Sequence, residues 1–180
     1  MANTSTASKP RTLVNILGIP GILTVICLGG WWYFIFIWVV VLLGSVELKK
    51  LVQHQNGTPL MILLFLSVSA VIFNYKLDSN YFEIIILITG LAAFIIEIFR
   101  NQKMPLLNIS TIILGAIWLG AMLGSLIILR EQPGFGLELI LLLFLSVWAC
   151  DSAAFFFGKL FGKKKILPSI SPKKSWMGSI

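Results

Sequence analysis

A chain of 180 residues that is 58% apolar and only 12% charged carries about half the charge of an ordinary soluble domain. With a mean hydropathy of +0.96, it reads as an integral membrane protein. The net charge of +7 is not a nucleic-acid footprint: the basic residues fall in short runs between apolar segments, without the aromatic-interleaved stripe that holds single strands. The expected fold class is all-α, a polytopic transmembrane helical bundle of about six membrane segments.

Lys9 and Arg11 precede an apolar stretch from Leu13, as in a signal peptide. No small-x-small cleavage site follows and the run continues through Trp31 and Trp32, so the stretch is expected to remain as a first helix. Residues 13–46 are too long for one span and tight for two. Gly29-Gly30 is the natural break, with Trp31, Trp32 and Tyr33 suited to an interfacial belt. The expectation is a hairpin of two short helices, about 13–28 and 31–46.

Four further segments are expected at 59–73, 82–99, 106–129 and 137–157. The first of these opens on Thr58-Pro59, an N-cap followed by proline at the first helical position. Ala116, Gly120 and Gly124 recur every four residues, a smooth stripe for close helix packing. Cys27 and Cys150 sit far apart in apolar segments and read as fillers, and His54 lies in a polar loop.

Charge tests the segment count independently. With the N-terminus cytoplasmic and all six segments crossing, every Lys and Arg except Lys76 and Arg130 falls inside, as the positive-inside rule requires. Taking 13–46 as one span would put Lys9 and Arg11 on the opposite side from the rest. The chain therefore divides into a cytoplasmic tail (1–12), a transmembrane region (13–157) and a basic cytoplasmic loop (158–180).

Glu47, Glu97 and Asp151 fall at the inner ends of segments, at one membrane depth, and three such carboxylates can approach one another in a bundle. Glu47 and Glu97 read as marks of where a helix leaves the lipid. Asp151 differs, because Ser152, two alanines and three phenylalanines follow it. An ionisable group inside an apolar helix is costly and points to function.

Residues 158–180 invite a phosphate-loop reading that fails. Gly158 and Gly162 stand too close together, and Lys163 is followed by Lys164 rather than Ser or Thr. What remains is general: lysines attract phosphate as point charges, glycines admit backbone N–H groups, and Ser171-Pro172 forms a turn holding Lys173 and Lys174. A basic segment binding anionic lipid headgroups has the same composition.

The run from Asp151 through Gly158 and Gly162 to Lys163, followed by Ser171-Pro172-Lys173-Lys174-Ser175-Trp176 and Gly178, resembles the phosphatidate cytidylyltransferase (CDP-diacylglycerol synthase) family. Arg11, Pro20, Gly29-Gly30-Trp31-Trp32 and Glu47 agree in layout. The resemblance implies attack of the phosphatidic acid phosphate on the α-phosphorus of CTP, giving CDP-diacylglycerol and pyrophosphate.

In that reading Asp151 is catalytic and a ligand of Mg²⁺, and Gly158, Gly162, Lys163, Ser171, Lys173 and Lys174 bind substrate. CTP, phosphatidic acid and bilayer lipid are the partners, a homodimer is a candidate assembly, and the place is a bacterial inner membrane. Phe155, Lys159 and Met177 stand where the family has tyrosine, arginine and glutamate. The family's C-terminal signature of Lys, Asp, His, Gly and Arg does not follow, so this chain is expected to be an incomplete and inactive fragment. The alternatives are a CTP-dependent lipid-alcohol kinase and a non-catalytic scaffold binding anionic lipid.

Overall fold

The computed structural model describes residues 9–161, 165–167 and 171–175, with side chains for 18–158 and 160. They form two compact units, one ending at Leu137 and the other beginning at Glu138.

In the first unit, α1 (Lys9–Leu28) and α2 (Gly30–Gln53) are the expected hairpin, broken where Gly29 and Gly30 take φ of 62° and 53°. These values favour glycine. Helices α3 (Met61–Lys76) and α4 (Phe82–Arg100) follow. One continuous apolar rod then comprises α5 (Pro105–Leu114), a π-helical segment (Gly115–Leu123) and α6 (Gly124–Arg130). Proline opens α5, where its missing N–H costs nothing.

In the second unit, most of α7 (Gly136–Phe161) precedes a two-stranded antiparallel ribbon, β1 (Lys165–Leu167) and β2 (Ser171–Ser175). Among the described residues, α4, the Pro105–Arg130 rod and the Gly136–Gly158 stretch are each long and apolar enough to cross a membrane. Gly18–Leu28 and Met61–Lys76 are apolar but shorter.

The core of the first unit lies where α2, α3 and the rod meet. Helix α2 buries Tyr33, Ile37, Val41, Ser45 and Leu48 at helical spacing, against Leu64, Val68, Val71 and Ile72 of α3. The small-residue stripe faces the same seam. A Cβ added at Gly120 would lie 3.2 Å from the Val71 Cβ, and one at Gly124 would lie 2.8 Å from the Tyr75 ring. Close backbone approach is therefore what these glycines provide.

Helix α4 is polar inside and apolar outside. Thr89, Ala93 and Glu97 are buried on one face, while Ile84, Leu87, Ile88, Leu91, Ile95 and Ile98 are exposed. A surface helix of a soluble protein has the reverse arrangement. The polytopic helical membrane bundle read from the sequence is borne out.

Three local expectations are corrected. Helix α2 runs on to Gln53 rather than stopping near 46, its core face still burying Leu48, and an exposed i,i+3 pair of Lys50 with Glu47 (2.7 Å) adds a little to its charged end. Thr58 is not the N-cap of α3; Leu60 is. Thr58 is instead drawn toward the α4–α5 connection, its N–H donating to Asn108 Oδ1 (2.6 Å) and its hydroxyl to Gln102 Oε1 (3.0 Å). Ser171-Pro172-Lys173-Lys174 is a strand rather than a turn, with Leu167 opposite Ser171 and Lys165 opposite Ser175. A two-stranded ribbon consists only of edges, where proline's fixed φ and missing donor are tolerated.

Candidate functional site

The first unit has two polar ends. At one, Lys76 forms an ion pair with Glu131 and lies 5.1 Å from the centre of the Trp31 ring. Arg130 reaches the Ile26 and Cys27 carbonyls at this same end. The other end gathers the close of α2, the start of α3 and the α4–α5 connection. The alternation inferred from charge holds here: Lys76 and Arg130 share one end, and Lys49, Lys50 and Arg100 share the opposite one.

That second end is organised around Glu97, whose side chain is 2% exposed. Arg100 Nη1 donates to Glu97 Oε1, and Asn108 Nδ2 donates to Oε2 at 3.0 Å. Arg100 Nη2 continues to the Thr58 carbonyl (3.0 Å), and Asn108 Oδ1 accepts the Thr58 N–H. Both carboxylate oxygens are thus paired, as a buried charge requires. Glu97 ties α4 to α5 and both to the α2–α3 loop.

Glu97 is thus more than the helix-boundary marker its place in the sequence suggests, and Asn108 is part of the same site. The available signal was a lone carboxamide inside an apolar segment, which hydrocarbon does not tolerate without a partner. Within the first unit, Glu47 and Glu97 have separate partners. Glu47 is exposed and paired with Lys50, and among the described residues no three His, Cys, Asp or Glu side chains gather to hold a metal.

In the second unit, α7 opens with Glu138 in its first turn, complementing the helix dipole. About 22 Å of helix separates Gly136 from Asp151, and α7 continues beyond it to Phe161, so Asp151 lies within the helix, past its midpoint. Asp151 is exposed, and its carboxylate makes no ion pair among the described residues.

Phe155 and Gly158 share the face of Asp151 at i+4 and i+7. Phe155 stacks edge-on against Phe156 at 5.8 Å. The helix ends at Phe161, and the ribbon carrying Ser171, Lys173 and Lys174 follows in sequence. Gly162 and Lys163 lie outside the described residues, as do Trp176, Met177 and Gly178. From Asp151 onward, the described residues supply the Asp151 carboxylate alone. A Mg²⁺ that keeps several waters and takes its other ligands from phosphates needs only one or two such groups, and Asp151 fits that donor set.

Fold and site together define a polytopic helical membrane protein with a carboxylate inside an apolar helix, unpaired among the described residues, and a lysine-bearing ribbon later in the sequence. The model of the Cytidylyltransferase family matches residues 9–180, and the chain belongs to that family.

Among similar proteins, the phosphatidate cytidylyltransferase of Haemophilus influenzae is 52% identical over 28% of this chain and 17% of its own length. That of Brucella suis is 41% identical over 37% of this chain and 24% of its own. That of Staphylococcus epidermidis is 28% identical over 94% of this chain and 65% of its own. The chain thus spans less than two thirds of each of these relatives. No solved structure matches it.

Proposed function

We propose that this chain takes part in making CDP-diacylglycerol and pyrophosphate from CTP and phosphatidic acid, with Asp151 in the reacting centre. The observation that carries the reading is the exposed carboxylate of Asp151, unpaired among the described residues, within an apolar helix of a cytidylyltransferase-family chain. Its support is chemical. An exposed carboxylate held within the helix, with no cation beside it among the described residues, stays available for a metal–phosphate group arriving from water.

A phosphate oxygen of the lipid attacks the α-phosphorus of CTP, the α–β phosphoanhydride bond breaks, and pyrophosphate leaves with the electron pair. Bound Mg²⁺ would neutralise the phosphates and the departing pyrophosphate. Asp151 would hold that ion at the lipid boundary, while Gly158 and Gly162 would let backbone N–H groups approach. Ser171, Lys173 and Lys174 bind phosphate, and Lys163 attracts it as a point charge.

The N-terminus and residues 158–180 face the cytoplasm of a bacterial inner membrane, so that CTP and the basic ribbon share one side. Residues 1–12, 13–157 and 158–180 act as tail, membrane region and the beginning of the catalytic loop.

The test is transfer of label in membranes carrying the protein, with Mg²⁺ and phosphatidic acid. Label entering lipid from the α-phosphate of CTP, and lost in Asp151→Asn, is the expected result. Label entering a lipid alcohol from the γ-phosphate instead would make the protein a kinase. Anionic-lipid binding with neither transfer would make it a scaffold.

A further inference from the structure

A cavity of about 350 Å³ opens beside the end of α2 and the start of α3. Its polar wall includes Lys49, Gln53 and Arg100, and its apolar wall Leu60, Met61 and Ile62. Lys49 is half-buried and makes no ion pair among the described residues. Its neighbour Lys50 pairs with Glu47, and Arg100 pairs with Glu97. The cavity therefore holds one uncompensated cation, supported by a second whose charge is shared.

From the apolar wall a ridge runs down α3: Ile62 and Leu66, at i and i+4, are 69% and 62% exposed. A positive pocket at the polar end of an apolar helix, continued by an exposed aliphatic track, matches a phosphate with acyl chains attached. A free nucleotide would use only the upper half.

We infer that this cavity binds the headgroup phosphate of an anionic phospholipid, with Lys49 as its principal contact and an acyl chain along Ile62 and Leu66. The site lies wholly within the first unit, uses none of the residues assigned to the reaction, and does not depend on that assignment.

The experiment is native mass spectrometry of the full chain in detergent micelles, offered phosphatidylglycerol and phosphatidylcholine of matched chain length. Phosphatidylglycerol is neither substrate nor product of the proposed reaction, so the two readings fail separately. Wild type is expected to retain phosphatidylglycerol preferentially. Lys49→Gln lowers that retention about fivefold, the effect of one lysine near an anionic headgroup, and Lys49→Arg restores it.

Lys103→Gln, at the same end but off the cavity, changes retention less than about twofold, and Asp151→Asn leaves it unaltered. An unchanged melting temperature for Lys49→Gln confirms that folding is intact. Equal losses in the Lys49 and Lys103 variants would overturn the inference in favour of diffuse attraction. So would equal retention of the two lipids by wild type. Displacement of the lipid by millimolar inorganic phosphate or CTP would overturn the lipid assignment and leave a soluble-phosphate site.

Discussion

The guanidinium of Arg130 closes the C-terminal end of α1: Nε donates to the Ile26 carbonyl at 2.8 Å and Nη2 to the Cys27 carbonyl at 3.3 Å. A cation on the last carbonyls of a helix satisfies orphan acceptors and complements the dipole. The contact also explains Gly29, where a Cβ would meet Arg130 Nη2 at 2.6 Å in a backbone already at positive φ. Arg130→Ala should lower stability by about 1–2 kcal/mol, and Gly29→Ala by about 1–3 kcal/mol. Because the two residues touch, the double variant should lose less than the sum. Unfolding midpoints in detergent give all three numbers.

The Glu97 network should be more sensitive. Glu97→Ala leaves the buried Asn108 amide without its acceptor and Arg100 with only the Thr58 carbonyl, a cost of about 3 kcal/mol. Asn108→Leu removes one donor and frees the Thr58 N–H, costing about 1–3 kcal/mol. Comparison of unfolding midpoints tests the order; an equal or smaller loss for Glu97→Ala would mean that water already reaches the carboxylate.

Gly120 supports the α3 seam through contact with a branched side chain that has no free end to swing aside. Gly120→Val should destabilise the bundle by about 1–3 kcal/mol through overpacking. Gly90 has only Ile113 Cδ1 nearby, at 3.8 Å, so Gly90→Ala should be neutral or slightly stabilising through helix propensity. Thermal denaturation of the two variants side by side checks the contrast.

Asp151→Asn separates stability from chemistry. The carboxylate is exposed and, among the described residues, unpaired, so its loss should leave the melting temperature unchanged or slightly higher in a lipid setting. Under the proposed function the same change should abolish label transfer, by a factor of about 100 or more. A substantial drop in melting temperature would instead give Asp151 a structural role.

Much of the bundle was legible because hydropathy and glycine placement act locally. Six apolar segments, the Gly29-Gly30 break and the stripe at Ala116, Gly120 and Gly124 all follow from residues read in order. What escaped depends on contacts between distant positions. Nothing near Thr58 announces that Asn108 will take its N–H and displace the start of α3. Nothing near Glu97 shows that its charge will be held by Asn108 rather than exposed. Asp151 stood out because it interrupts an apolar run. Lys49 did not, because one lysine among several looks alike until its neighbours are seen to pair and it is not.

The π-helical stretch Gly115–Leu123 sets the phase of everything beyond it. A wider turn takes up one residue more than an α-turn over the same height, so the rod's second half is rotated relative to a plain α-helix. Deleting one residue within 115–123 would shift the following positions by about 100°. That would carry Ile127 out of the core and swing Arg130 away from Ile26. The clasp on the first helix is thus timed by an irregularity in the fifth apolar segment, and the two should vary together in any working version of this bundle.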